Sequence, residues 1–250
     1  MGDILLAGGV GLAAGSMLVL GAAIAWVVRV PPAVVAGVMA FGAGVLISAL
    51  AYELVQEANA VGGLLPTVSG FLTGAIIYVT IDAGLARFGA RHRKRSDDRQ
   101  AAEKDQSGSG LAIAVGALLD GIPESIVLGL SVAGGGKVSV PILAAIAISN
   151  LPEGLSSSAG MKASGRSARY VFGVWGTIAA ASGVAALVGF VLLAAAPAAT
   201  IAFVTTVAAG AILAMVANTM IPEAFARDHA LTGLFATFGF LTAFVLHQLG

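Results

Sequence analysis

LAIAVGALLDGIPESIVLGLSV, residues 111–132, and PILAAIAISNLPEGLSSSAGMK, residues 141–162, are the two stretches on which the fold turns. Each is about the length of about 20 residues that a helix needs to cross a bilayer. Yet each carries acid beside a proline near its middle: Asp120-Gly-Ile-Pro-Glu124 in the first, Asn150-Leu-Pro-Glu153 in the second. A proline inside a helix removes one N–H and pushes away the carbonyl four residues earlier, here that of Leu119 and of Ile148. In hydrocarbon, bare carboxylates and loosened carbonyls are costly unless a cation or a proton donor meets them. The pattern points to a cation pathway.

The rest of the chain fits a membrane protein. It has 250 residues, 58 % hydrophobic and 10 % charged, with no cysteine and a formal net charge of zero. A soluble domain carries roughly 25 % charged residues, so this chain lacks the polar surface to stay in water. The 34 glycines suit close helix packing in lipid. Without cysteine there are no disulfides and no thiolate ligands. Asp3, with no Lys or Arg before the first apolar run, argues against a cleaved secretory signal.

Eight apolar segments are expected, near 4–28, 34–57, 64–88, 111–132, 141–162, 170–195, 200–222 and 231–249. Pro31-Pro32, Gly62-Gly63, Gly134-Gly135-Gly136 and Pro197 punctuate them. Residues 89–110, with Arg91, Arg93, Lys94, Arg95, Asp97, Asp98 and Glu103, are expected to form a mobile polar loop. Eight spans place Arg29, Arg87, Arg91, Arg93, Lys94, Arg95, Arg99, Lys104, Lys162, Arg166, Arg169 and Arg227 on one side and Lys137 alone on the other. By the positive-inside rule both termini then face away from the cytoplasm. The fold class is therefore an all-α integral membrane protein of eight helices, one transport domain over residues 1–250 with a cytoplasmic loop at 89–110.

At 1.5 Å per residue, Asp120, Glu124 and Glu153 lie roughly 13–20 Å into their spans, near the midplane. Asp120 and Glu124 share a helix face, as do Ser149 and Glu153, with Asn150 beside them. Two facing helices can gather three carboxylates, an amide and a hydroxyl around one point. An all-oxygen cage of that kind suits a hard or borderline divalent cation. Each mid-helix acid costs about 2.5–3.5 kcal/mol on insertion scales, a heavy load for architecture alone. Glu53 and Glu57 share a face at the outer end of segment two, and His247 lies near the outer end of segment eight. Asp82 lies toward the cytoplasmic side in segment three, and Glu223 follows Pro222 at the end of segment seven with Asp228 and His229 beyond. His92 and His229 are read as solvated.

Asp120-Gly-Ile-Pro-Glu124-Ser and Ser149-Asn-Leu-Pro-Glu153-Gly resemble the paired metal-binding motifs of the ZIP (Zrt/Irt-like) divalent metal transporters. In that family helix four typically reads His-Asn-x-Pro-Glu-Gly, and helix five carries a similar polar-x-x-Pro-Glu-Gly. Here Asp120 stands at the histidine position and Gly121 at the asparagine, while Glu124 and Glu153 match the glutamates and Ser149 and Asn150 fall at polar ligand positions. The resemblance implies a 3+2+3 bundle with inverted outer repeats, a divalent metal cation as transported substrate, and an exit position at Glu223. It implies the metal ligands Asp120, Glu124, Ser149, Asn150 and Glu153; the placement of Glu53, Glu57 and Asp82 in their spans adds them as candidates along the pathway. The core holds no imidazole, so iron(II) and manganese(II) fit as well as zinc.

Two further classes share the same residues. A proton or monovalent-cation conduit would use Asp120, Glu124 and Glu153 as a relay. An intramembrane hydrolase is disfavoured, because the core has one Asp and two Glu and the chain has no Gly-x-Ser-x-Gly or His-Glu-x-x-His. No catalytic cofactor and no nucleic-acid partner are expected; acids interleave the basic loop, whose expected partner is anionic lipid. The resemblance and the glycine-rich faces admit a homodimer. The plasma or inner membrane is the expected location.

Overall fold

The structure, a computed structural model, describes residues 2–96, 100–102, 105–133, 138–226 and 231–249. Eight long helices follow one another: α1 (Gly2–Val27), α2 (Pro32–Gly62), α3 (Leu64–Ala86), α4 (Ser109–Ala133), α5 (Val140–Ala163), α6 (Ala168–Leu193), α7 (Ala198–Ala224) and α8 (Thr232–Leu249). Among the described residues there is no strand. Seven of the eight are long and apolar enough to cross a membrane. The remaining one, α5, has 24 residues but carries Ser149, Asn150, Glu153 and the serines 156–158, all buried. Its polarity is spent inside the bundle, not on the surface.

The turns form where the punctuation lies. Pro31 and Pro197 precede the first turns of α2 and α7, where a missing N–H costs nothing. Gly63 takes a positive φ of 84° between α2 and α3, a conformation closed to most side chains. Ser139 and Ser167 cap α5 and α6 by accepting hydrogen bonds from the backbone N–H groups of Ile142 and Tyr170. The Gly134–Gly135–Gly136 turn, Lys137, Arg99, Lys104, Arg227, Asp97, Asp98, Glu103, Asp228 and His229 lie outside the described residues.

The helices pack in two groups of four. In one, α1 lies against α5 and α6, and α4 against α6; in the other, α3 lies against α7 and α2 against α8. The groups meet through α2 on α5 and α4 on α7. The crossing of α1 and α5 is glycine-on-glycine: a Cβ on Gly21 would run into the Leu151 carbonyl oxygen, and one on Gly154 into that of Leu18. Small residues let these backbones touch, as membrane interfaces require. This contact fixes the height of the Asn150–Glu153 motif against α1. Outer helices turn apolar side chains outward, for example Leu72, Ile76 and Val79 on α3 and Phe238, Leu241 and Val245 on α8. Such a surface belongs in lipid, and the chain is a multi-pass membrane protein by length and composition of its helices.

The packed pairs have an internal correspondence. Exchanging α1 with α6, α2 with α7, α3 with α8 and α4 with α5 turns α1–α5 into α6–α4, α3–α7 into α8–α2, and α2–α5 into α7–α4. The correspondence extends to helix type. Both α2 and α7 contain a π-helical stretch near the C-terminus, Leu50–Gln56 and Val216–Met220. Widened turns of this kind are frequent at functional positions in helices; Glu53 and Asn218 sit within these two. In α7 the cause is local, since Pro222 has no N–H for the ladder and Ile221 N–H bonds back to Val216 O.

Residues 89–110 correct an expectation. Among the described residues of this stretch, a short 3₁₀ turn (Ala90–His92) leads Arg93 and Lys94 into the interior, where they are 1 % and 3 % exposed rather than solvated. The physical reason is charge: five acids face the interior from four different helices, and no span carries a Lys or Arg away from its ends. The compensating cations are supplied by the connection between α3 and α4.

Candidate cation site

Pro123 and Pro152 stand inside unbroken helices, each directly before a glutamate, with Asp120 three residues before Pro123. Asp120, Glu124 and Glu153 are all buried, at 1–3 % exposure. Arg93 grips Asp120 with two near-parallel bonds, Nε to Oδ2 at 3.0 Å and Nη2 to Oδ1 at 2.9 Å. The same guanidinium reaches the Tyr78 hydroxyl (2.7 Å) and Asp82 Oδ1 (2.6 Å), and Tyr78 donates to Asp120 Oδ1 at 2.7 Å. All of this fork is spent on acceptors. Burial works against the Arg93 charge, but Asp120, Tyr78 and Asp82 outweigh it and hold the pKa above that of an ordinary arginine.

Lys94 is the centre of the remaining acids. Its Nζ lies 2.8 Å from Glu153 Oε2 and 3.4 Å from Asp120 Oδ2, as close ion pairs without the alignment of hydrogen bonds. Glu124 lies within electrostatic range of Glu153, Lys94 and Asp120. Its Oε1 is buried and accepts no hydrogen bond among the described residues. A buried carboxylate oxygen without a donor is expensive.

Glu223 closes the same region from α7. It accepts from Ser96 N (3.0 Å), Ser96 Oγ (2.5 Å) and Ser156 Oγ (3.2 Å), and pairs with Arg95 Nη1 at 3.4 Å. The segment Arg93–Ser96 is further stitched to α5. Ser157 Oγ donates to Arg93 O, Ser156 Oγ to Lys94 O, and Gln100 Nε2 to the carbonyls of Arg93, Arg95 and Ser157.

On the opposite face a cavity of about 910 Å³ opens, lined among others by Glu53, Glu57, His247, Ser131, Ser139 and Thr205. Glu53 Oε1 is 2.5 Å from His247 Nδ1, and Glu57 lies within electrostatic range of both. Tyr52 stacks on the His247 ring at 5.6 Å.

Asp120, Glu124 and Glu153 are thus buried within electrostatic range of one another, with Glu53, Glu57 and His247 lining the cavity on one side of them and Glu223 on the other. Two expected ligands turn elsewhere. Asn150 Nδ2 donates to Ala14 O on α1 at 2.9 Å, and Ser149 Oγ to Ile146 O at 2.9 Å. Asp82 is engaged with Arg93, not with the other acids. Among the described residues no three acidic or histidine side chains stand close enough to hold one metal ion. Sequence reasoning missed Arg93, Lys94, Tyr78, Ser96 and Gln100. The signal available was electroneutrality, because midspan acids without a basic residue in any span require cations from a connection. No protein-family model matches the chain, and no curated protein matches it in sequence.

Proposed function

We propose that the chain transports a divalent transition-metal cation, zinc, iron(II) or manganese(II), into the cytoplasm through the carboxylates of α4 and α5. The observation that carries the reading is the midspan cluster itself. Four acids (Asp82, Asp120, Glu124 and Glu153) share one network with Arg93 and Lys94, and Arg95 pairs with Glu223 beside it. Counted as fully charged, 5 acids against 3 bases leave two negative charges, the complement of one divalent ion, and the donor-less Glu124 oxygen belongs to that surplus. A surplus of this kind, deep in the protein, is met by a cation or by protons.

In this reading all eight helices cross the bilayer, with both termini opposite the basic connections. The correspondence of α1–α3 with α6–α8 about the central pair α4 and α5 supports the 3+2+3 arrangement with inverted repeats, and with it the ZIP-like architecture. The cation gathers at Glu53 and Glu57 in the outer cavity, passes to Asp120, Glu124 and Glu153, and leaves past Glu223. Access alternates as the two groups of four helices shift against each other.

Uptake of Zn²⁺, Fe²⁺, Mn²⁺ and Mg²⁺ into proteoliposomes, side by side and with an internal pH dye, tests the proposal. At least one transition metal enters, and Glu153→Gln abolishes its uptake while the protein still inserts. Metal accumulation equal to that of empty liposomes, or unaltered in Glu153→Gln, refutes it. A second reading, a proton or monovalent-cation conduit over the same acids, is favoured by the lack of three convergent metal-ligating side chains among the described residues. The dye separates the two: acidification without added metal supports the conduit.

A further inference from the structure

The two faces of the protein are unlike, although their helices correspond. The outer cavity is bounded by the π-helical end of α2, the start of α5 at Ser139–Ile142, the end of α4 at Leu130 and Ser131, and His247 near the end of α8. The exchange that maps the packed pairs onto one another turns these into the π-helical end of α7, the start of α4, the end of α5 and the end of α3. Arg93–Ser96 is bound at three of those places, and at the middle of α4 rather than at its start. It pairs with Glu223 beside the α7 stretch, with Ser156 and Ser157 at the end of α5, with Asp120 on α4 and with Asp82 near the end of α3. A cavity open on one face is filled on the other by four residues of the chain.

We infer that Arg93–Ser96 is a tethered cationic gate, and that the ammonium of Lys94 occupies the position of the transported cation in the closed state. The inference rests on the transport reading and adds to it how the site is regulated. Lys94 is 3 % exposed, lies between Glu153 and Asp120, and is within electrostatic range of Glu124. An ammonium in that place offsets one of the carboxylate charges that the empty site otherwise holds in hydrocarbon. A cation bound by Glu124, Glu153 and Asp120 replaces that charge, and the Lys94 ammonium is then repelled. Without it the segment retains its backbone bonds to Ser156, Ser157 and Gln100 and its grip on Glu223, so the cost of release is divided between charge and hydrogen bonds. Cargo and gate compete for the same oxygens.

Steric detail provides a handle that leaves every charge in place. A Cβ on Gly160 would run into the carbonyl oxygen of Arg95 and the amide of Gln100. Gly160→Ala therefore pushes the segment off α5 without touching a carboxylate or a base. Lys94→Gln removes the competing charge and leaves the backbone bonds.

Trypsin cleaves after Arg and Lys, so the unaltered protein reports on the gate directly. In detergent, Mn²⁺ is expected to speed cleavage after Arg93 and Lys94 about tenfold, read by mass spectrometry, with cleavage after the exposed Arg169 unchanged. Choline at equal charge has no effect. In proteoliposomes, Lys94→Gln and Gly160→Ala each lower the half-saturating Mn²⁺ concentration about tenfold, as expected when a state populated about nine parts in ten is removed. A merely structural role for the segment gives the reverse, weaker uptake in both variants. Cleavage after Arg93 and Lys94 that Mn²⁺ leaves unchanged or slows, or a half-saturation unchanged or raised in Lys94→Gln while uptake still depends on Glu153, overturns the gate alone. Absence of Glu153-dependent uptake in the unaltered protein overturns the transport reading beneath it.

Discussion

Arg93→Gln is the substitution whose cost the structure sets most closely. The guanidinium makes a two-point bond to Asp120 at 2.9 and 3.0 Å, with further bonds to Tyr78 at 2.7 Å and Asp82 at 2.6 Å. Glutamine is shorter and has one amide, so it can replace at most one of these. Asp120, at 1 % exposure, keeps only the Tyr78 hydroxyl and the more distant Lys94. Removing one partner of a buried pair costs about 3–5 kcal/mol, because the other charge is left uncompensated. Denaturant titration of the purified protein in detergent should show a loss of that size for Arg93→Gln and a change within about 0.5 kcal/mol for the exposed Arg91→Gln. Arg93→Lys should fall between, since an ammonium lacks the fork that holds both Asp120 oxygens. The pair Arg93→Met with Asp120→Leu removes both buried charges and should cost less than Arg93→Gln alone. A loss below about 1 kcal/mol for Arg93→Gln, or additive effects in the double substitution, would refute the pairing of these residues.

Further outcomes follow from the same geometry. Gly154→Ala, which drives a methyl into the Leu18 carbonyl, should destabilise the protein by about 1–3 kcal/mol, whereas Gly173→Ala, with open space around it, should be neutral or stabilising; thermal unfolding compares them. Trp175→Phe removes the indole donor from the buried Ser158 hydroxyl (2.7 Å) and should cost about 1 kcal/mol in the same assay. Glu53→Gln should raise the half-saturating metal concentration of proteoliposome uptake several-fold with little change in maximal rate, since Glu53 lines the outer cavity and lies outside the midspan cluster. Unchanged half-saturation would remove Glu53 from the pathway.

The positions of the helices, the turns between them and the places of Asp120, Glu124 and Glu153 along their helices were legible because each depends on local quantities. Run length, proline chemistry and the 1.5 Å rise need no knowledge of neighbours. The spacing likewise foretold that these three acids share a neighbourhood. It did not foretell the aim of Asn150 or Ser149, because a residue on the right face still chooses among acceptors. Asn150 found the Ala14 carbonyl across a crossing that Gly21 and Gly154 make close. Internal correspondence was hidden too, since Ala, Gly and Val recur throughout the chain; it emerges in which helices touch and in the paired π-helical stretches of α2 and α7.

The sequence by itself determined that this chain needs a lipid environment and that its midspan acids need a positive charge. Only the tertiary structure decided where that charge comes from. Arg93 and Lys94 look like members of a solvated basic run, and hydropathy places them at the membrane edge. Three dimensions bring the acids of α3, α4 and α5 within reach of one short segment, and long-range attraction in a medium of low dielectric then outweighs the local preference of basic residues for water.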